Sequence, residues 1–245
     1  MTPRHLDLIR AEGAALGRAA RIDPTRPVPR YPGWSVADLV VHVGSVHRRT
    51  LRIVEERAQE PVDRVYPDTD EPDEVLAWYD DGLEALADAF EATDKGIEVW
   101  GLVPSCNVGW WQRRMAVETS IHRWDAESAH GPAREIDAEL AVDAIDEFGQ
   151  LPAFRLARVK LGEPGTALML SATDHSASWR LVQGDDSVTL GRADEAEGDA
   201  TVSGTASDLY LDMVGRTAGL LSAEGDAAVI EAWRSMTDSL PDAVR

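Results

Sequence analysis

The sequence predicts an α+β protein, with a helical bundle in its first part and a small sheet with helices in its second. Over the first 150 residues, apolar side chains recur at helical spacing in long segments joined by proline- and glycine-containing connections. After about residue 153, short β-prone segments separated by turn formers precede further helical patterns. We therefore expect a four-helix bundle with an extra helix in residues 1–152 and a small α+β domain in residues 153–245, with the boundary at 150–160.

Local start and stop signals delimit the helices of the first domain. The first helix ends before Pro24, Pro27 and Pro29, because proline lacks a backbone donor and cannot continue a helix. Ser35 is a good N-cap for the second helix, and Asp38 stands three residues on, where a capping box places an acid. The expected helices are residues 4–20, 36–57, a segment that begins near Pro72, 110–130 and 137–150.

The second domain alternates short β-prone segments with turn formers such as Gly184-Asp185-Asp186. The expected strands are Ala167 to Thr173, Ser178 to Gln183, Ser187 to Gly191 and Ala200 to Gly204. The helical patterns that follow them are Ser207 to about Gly215 and Asp226 to about Leu240. Strands that precede helices in this way are typical of an α+β domain.

The charge balance argues against polyanionic partners. The chain has 44 acidic residues against 24 lysines and arginines, which gives a formal net charge of −20, and nucleic acid or an anionic membrane would be repelled. No apolar run approaches the roughly 18–20 residues of a membrane span, and the first residues lead into a charged helical pattern rather than a signal peptide. We expect a cytoplasmic protein that binds neither nucleic acid nor membrane.

Acidic residues concentrate in residues 61–98, where 13 acids stand against only two basic residues, Arg64 and Lys95. A charge run of this kind is most often a solvated helix face with its flanking loop. We interpret the segment in that way.

A candidate metal site begins with Glu118 and His122, which lie four residues apart on the fourth expected helix. Residues at this spacing are neighbours on one helix face, so their side chains can reach one ion. The spacing also arises by chance, and the pair needs a third ligand from a facing helix. Cys106 is the single cysteine, so a metal must use His, Asp or Glu, and we assign Cys106 no role.

The second expected helix offers two candidates for the third ligand, His42 and His47. They are about 140° apart around the helix, so both cannot easily face one ion. The apolar face of this helix has His47 near its centre and His42 toward its edge. Periodicity alone therefore favours His47.

Two separated motifs resemble the mycothiol-dependent maleylpyruvate isomerase family. They are YPGWSVADLVVHV at Tyr31–Val43 and, much later, Arg114 followed by ETSIH at Glu118–His122. The resemblance implies a DinB-like metal-binding four-helix bundle with His42, Glu118 and His122 as ligands, so we choose His42. It extends over the whole chain, because Ala200–Gly204 leading into Ser207–Leu211 is similar to the sheet-to-helix passage of the family's C-terminal domain.

The expected chemistry combines a divalent ion with a small thiol. Two imidazoles and one carboxylate suit Zn²⁺ and leave one position open, although related sites accept other divalent ions. A thiol on Zn²⁺ is deprotonated, and the resemblance implies that this thiol is mycothiol, the small thiol of actinobacteria. The low lysine content and the abundance of Ala, Asp and Arg are typical of GC-rich bacterial genomes. We expect a metal- and mycothiol-dependent isomerase or S-transferase that acts on a small electrophile.

Two other functions fit the same residues. A metal-dependent hydrolase would use the open position to activate water, and a non-enzymatic protein would bind a metal or small molecule. The roles of several neighbours also stay open: Asp125 can orient His122 or form a surface salt bridge, and the tryptophans can wall a pocket or pack in the core. Those tryptophans are Trp110, Trp111 and Trp124, and the candidate thiol-binding arginines are Arg113, Arg114, Arg216 and Arg234.

Overall fold

The computed structural model describes residues 5–151, 160–193, 197–216 and 221–238. The chain divides into two compact units between Arg134 and Glu135. The first unit is helical, and the second combines helices with a sheet. This architecture confirms the predicted α+β fold class.

Four helices form the first unit: α1 (His5–Ile22), α2 (Val36–Glu55), α3 (Pro72–Ala92) and α4 (Val108–Ser128). Helix α1 packs against α3 and α4, and α2 packs against the same two helices, so the four close into a bundle. Its core is apolar and includes fully buried Ile9, Leu39, Leu86 and Met115. Because α2 and α4 are neighbours, side chains on their facing sides meet inside the unit.

The start of α2 matches the sequence prediction. Ser35 is the N-cap, its side chain accepts a hydrogen bond from the backbone N–H of Asp38, and the Asp38 carboxylate accepts from the Ser35 backbone at 2.8 Å. Both halves of the capping box are therefore formed, which satisfies two donors that the first turn would leave free. This fixes the first residue of the helix and thereby the direction in which its later side chains point.

The second unit contains α5 (Ala138–Gln150), five strands and two further helices. The strands are β1 (Ala167–Ala172), β2 (Ser178–Gln183), β3 (Val188–Arg192), β4 (Ala200–Gly204) and β5 (Ser222–Gly225), and the helices are α6 (Ala206–Met213) and α7 (Ala227–Asp238). The sheet order is β3-β2-β1-β4-β5, in which β1 and β4 are parallel and the other neighbours antiparallel.

The core of the second unit lies on one face of this sheet. Leu170 on β1 is opposite Trp179 on β2 and Val202 on β4, and all three side chains are buried. Alternate residues of a strand point to opposite faces, which explains why Arg180 beside Trp179 is only half-buried. The helices α6 and α7 pack against β1 and β4.

The division between the units falls earlier than the boundary expected at 150–160. Helix α5 was expected to close the first domain of residues 1–152, but it packs against α6 and β3 of the second unit. Asp146 on α5 explains this placement, because its carboxylate accepts hydrogen bonds from the Trp179 indole at 2.8 Å and from Arg192 at 2.6 Å. Residues 152–159, within the expected boundary, lie outside the described residues, as do residues 239–240 of the last expected helix.

Strand β5 was not predicted. Its four residues are all exposed, and it pairs antiparallel with β4 at the edge of the sheet. Ser, Ala, Glu and Gly have low strand propensity, so the segment shows no pattern that would mark it as a strand. Within the described ranges, we find no helix long and apolar enough to cross a membrane.

Candidate metal centre

Helices α2 and α4 bring three candidate ligands together. His42 comes from α2, and Glu118 and His122 come from adjacent turns of α4. One donor atom from each of the three residues lies within 4.8 Å of the other two. The three residues expected to bind a metal thus form one cluster in the structure.

The carboxylate of Glu118 is the centre of this cluster. Its Oε1 atom lies 3.4 Å from Nε2 of His42 and 3.2 Å from Nε2 of His122. The two imidazole rings stand edge to face, with centroids 5.0 Å apart. Both histidines are buried, with 6% and 3% of their surfaces exposed, so the cluster sits at the inner margin of the bundle rather than on its surface.

The surroundings set the charge of each member. Burial raises the pKa of Glu118, but the Arg114 guanidinium and the two histidines outweigh it and hold that pKa well below its usual range. Burial lowers the pKa of His42. Burial also lowers the pKa of His122, but hydrogen bonds with Asp125 and Glu118 outweigh this effect, so the pKa of His122 is raised. The cluster therefore contains an ionised carboxylate between two imidazoles of different basicity.

Two neighbours on α4 hold Glu118 and His122 in place. Oδ2 of Asp125 lies 3.0 Å from Nδ1 of His122, and Asp125 is fully buried, so it orients the ring rather than forming a surface salt bridge. Arg114 bonds Oε2 of Glu118, the oxygen that faces away from the histidines. Glu118 and His122 thus each keep one atom for the centre of the cluster and have their other atom occupied.

His47 lies in the core rather than at this cluster. It is fully buried, its Nε2 lies 2.8 Å from the Thr119 hydroxyl, and its ring stacks on Tyr79 with centroids 5.9 Å apart. Burial lowers its pKa to about 4, so the ring is neutral near pH 7. Periodicity located this histidine correctly at the centre of the apolar face, but that position is core.

Aromatic residues before α2 border the cluster, and the sequence did not predict this role. The Trp34 ring lies 5.4 Å from the His42 ring, and the Tyr31 ring lies 6.0 Å from that of His122, between centroids. Both belong to the Tyr31–Val43 motif, so the signal was present in the sequence. Trp34 directly precedes the N-cap Ser35 in the sequence, and only the fold places its ring beside a histidine.

The remaining candidates have structural contacts of their own. Trp111 is buried, and its indole donates to the Trp100 carbonyl at 2.7 Å, which favours core packing over a pocket wall. Burial raises the pKa of the Cys106 thiol to about 11, so this cysteine is a protonated, unreactive group at neutral pH. Arg216 donates to the Val214 carbonyl at 2.8 Å in the second unit.

The donor set fits a divalent ion. Two imidazole nitrogens and a carboxylate oxygen are the ligand types that Zn²⁺ takes in catalytic sites, where a fourth position stays open. The Asp125–His122 contact is the arrangement that commonly supports a metal-binding histidine, since it leaves Nε2 unprotonated. These observations allow His42, Glu118 and His122 to hold such an ion.

Replacement of Asp125 by asparagine tests this supporting contact. We expect Asp125→Asn to weaken zinc binding about 10- to 100-fold, because the carboxylate no longer favours the tautomer that presents Nε2. Competition with a chromophoric chelator measures the affinity. Asp88→Asn is the matched control, since Asp88 is exposed and pairs only with Arg10 among the described contacts. Equal affinities for the two variants would contradict this role of Asp125.

The structure defines the class of protein: it is a four-helix bundle with a buried His–Glu–His cluster, followed by an α+β unit. The sequence model of the mycothiol maleylpyruvate isomerase N-terminal domain matches residues 6–127, and that of the MDMPI C-terminal domain matches residues 139–232. The chain therefore belongs to the mycothiol-dependent maleylpyruvate isomerase family of enzymes, as its two motifs predicted.

Solved structures share this fold. The chain resembles a crystal structure of the mycothiol-dependent maleylpyruvate isomerase with a TM-score of 0.61 and that of a histidine-to-alanine variant with a TM-score of 0.64. In both comparisons the identity is 15%, and the match covers 91% of this chain and 93% of the other. At this identity the likeness concerns the fold alone. No curated protein matches the sequence.

Proposed function

We propose that this protein is a zinc- and mycothiol-dependent isomerase or S-transferase that acts on a small electrophile. The observation that carries the proposal is the cluster of His42, Glu118 and His122, whose donor atoms lie within 4.8 Å of one another. Family membership supports the thiol and the isomerase chemistry, since relatives in this family are described as mycothiol-dependent. The isomerase reaction itself is addition of a thiolate to a cis double bond, rotation and elimination, which gives the trans isomer.

The residues of the chain prepare the site for this chemistry. A zinc ion held by the three ligands would lower the pKa of a coordinated thiol so that it is a thiolate at neutral pH. Glu118 supplies the single negative charge among the three ligands, while Arg114 occupies its second oxygen. Tyr31 and Trp34 place aromatic rings against the two histidines and so limit the access of water to them.

The thiol has to come from a small molecule. Cys106 is the single cysteine of the chain, it is buried, and its pKa of about 11 keeps it protonated. Its Sγ atom bonds the Asn107 carbonyl at the start of α4, more than two helical turns before Glu118. The proposal includes a cytoplasmic location, because a reducing compartment keeps a small thiol in the reduced state that the reaction needs.

Thermal unfolding in the presence of mycothiol tests the proposed function. We expect mycothiol to raise the melting temperature of the zinc-loaded protein, since at about 100 times its dissociation constant a ligand stabilises the folded state by about 2.7 kcal/mol. The S-methylated thiol is the control and is expected to give a much smaller shift, because a thioether cannot ionise.

The same experiment separates the proposed enzyme from a hydrolase. A His122→Ala variant lacks one ligand and is expected to lose the shift with mycothiol. An equal shift with and without zinc, or none at saturating mycothiol, would count against a thiol-dependent enzyme and in favour of a site that activates water.

A further inference from the structure

The two histidines of the cluster differ at their outer nitrogens. Nδ1 of His122 faces the Asp125 carboxylate at 3.0 Å, whereas Nδ1 of His42 faces NH1 of Arg64 at 3.4 Å. Arg64 lies in the connection between α2 and α3 and is half-buried. One histidine therefore has an acceptor beside it, and the other has a cation.

The contact between Arg64 and His42 depends on which ring nitrogen carries the proton. Arg64 can donate to Nδ1 only while that nitrogen is unprotonated, which leaves the proton on Nε2, where Glu118 accepts it. If Nε2 binds a metal ion instead, Nδ1 carries the proton, and two donors then face each other. Metal-binding histidines normally donate this outer N–H to an acceptor, whereas Nδ1 of His42 contacts a donor, and no acceptor contacts it among the described residues.

A second arginine makes the same region more positive. Arg49 follows His42 by seven residues, which places both on one face of α2. Its guanidinium lies over the Trp100 ring at 4.8 Å, and its Nε atom is buried without a hydrogen-bond partner among the described residues. Burial and the neighbouring charge of Arg64 both lower the pKa of Arg49, so the two guanidinium groups are close enough to repel.

The charge of these two arginines is not neutralised by ion pairs. In the part of the chain that the structure describes, neither Arg64 nor Arg49 forms a salt bridge with a carboxylate, although Asp63 attracts Arg49 at longer range. Arg114, in contrast, is paired with Glu118. In a protein with a net charge of −20, two half-buried cations that no described carboxylate pairs with, beside a metal-type cluster, are suited to binding an anion.

We propose that Arg64, the Nδ1–H of His42 and Arg49 form a subsite for a carboxylate group next to the metal centre. A carboxylate oxygen accepts from both Arg64 and His42 and so supplies this acceptor, while Arg49 contributes charge from two turns further along α2. The inference rests on the function proposed above, because it assigns the carboxylate to a reactant of that centre. The electrophile brings this group.

Succinate is a suitable probe, because it carries carboxylates but no electrophilic double bond. We expect calorimetric titration of the zinc-loaded protein to show succinate binding that weakens about tenfold or more in Arg64→Gln, since a charge-assisted hydrogen bond is lost. Arg49→Gln should weaken it less, and Arg64→Lys should restore part of it. Arg52→Gln is the matched control, because Arg52 lies on α2 but pairs with Glu56 on the surface. It should bind succinate as the wild type does.

Competition tests this assignment. We expect succinate to compete with the electrophile, and Arg64→Gln to raise the KM for the electrophile without changing mycothiol affinity.

Two results would overturn the subsite. One is unchanged succinate affinity in Arg64→Gln, and the other is loss of zinc from that variant, which would make Arg64 a support for His42. The test distinguishes this failure from failure of the proposed function. Wild-type protein that binds zinc and succinate but shows no mycothiol-dependent turnover would contradict the function and leave the subsite standing.

Discussion

Replacement of His42 by alanine is expected to abolish stoichiometric zinc binding, whereas replacement of His47 by alanine is expected to preserve it. His42 lies 3.4 Å from Glu118 within the cluster, whereas His47 bonds Thr119 and stacks on Tyr79 in the core. A three-ligand site that loses one ligand keeps only two, which is too few for a stable catalytic-type zinc site. Elemental analysis of the purified proteins after dialysis measures the metal content.

Stability measurements complete this comparison. His47→Ala leaves the buried Thr119 hydroxyl without its partner and opens a cavity, so it should lower the free energy of unfolding by about 2–4 kcal/mol. His42→Ala, at the margin of the bundle, should cost less in the metal-free protein. Retention of zinc by His42→Ala together with its loss from His47→Ala would show that the ligand set has been assigned to the wrong histidine.

Replacement of Arg123 by alanine is expected to have the largest effect on stability. Arg123 is fully buried on α4, where its Nε lies 2.5 Å from Glu12 of α1 and its NH1 lies 2.9 Å from Glu127. It also donates to the Arg134 carbonyl. Removal of Arg123 leaves Glu12 and Glu127 with the exposed Arg134, at 3.4 and 3.7 Å, and so removes the buried part of their compensation. The free energy of unfolding should fall by about 3–5 kcal/mol.

Urea unfolding followed by circular dichroism tests this expectation. Arg10→Ala is the matched control, because Arg10 also joins two helices but pairs with exposed Asp88 and Glu91. Exposed ion pairs contribute about 0–1 kcal/mol, so this variant should unfold close to the wild type. Similar losses in the two variants would mean that Arg123 does not hold α1 and α4 together through buried charge.

The bundle was predictable because its helix boundaries are encoded locally. The capping box of Ser35 and Asp38 and the start of α3 at Pro72 involve residues close in sequence, and both lie where the patterns placed them. The boundary between the units was harder to predict from the sequence. Helix α5 has a clear apolar face, but the pattern does not say against which element that face packs, and Asp146 binds partners 33 and 46 residues later.

The candidate site was predictable only in part. The Glu118/His122 pair follows from helical spacing. Periodicity favoured His47 for the third position, because the centre of an apolar helix face marks the most buried residues. A site at the margin of the core lies away from the centre of that face. His47 has no exposed surface and His42 has 6%, so periodicity ranked their burial correctly. The choice of His42 came from the family resemblance.

Arg64 shows the limit of local patterns most clearly. It is one of two basic residues in an acidic segment that was interpreted as a solvated face. In the structure, its side chain contacts His42, which lies 22 residues earlier in the chain. A single arginine within an acidic run was the only sign in the sequence that Arg64 has a role of its own. Its contact with His42 depends on the path of the connection between α2 and α3, which the sequence pattern does not give.

The cluster also has a consequence for how the bundle resists unfolding. His42 and Glu118 are separated by 76 positions in the sequence, and α3 lies between them along the chain. If an ion binds these side chains as proposed, it would act as a reversible crosslink that closes this long loop, and crosslinks of long loops restrict the unfolded chain most. The metal-loaded bundle would then resist unfolding more than the metal-free bundle, independently of whether any substrate is present.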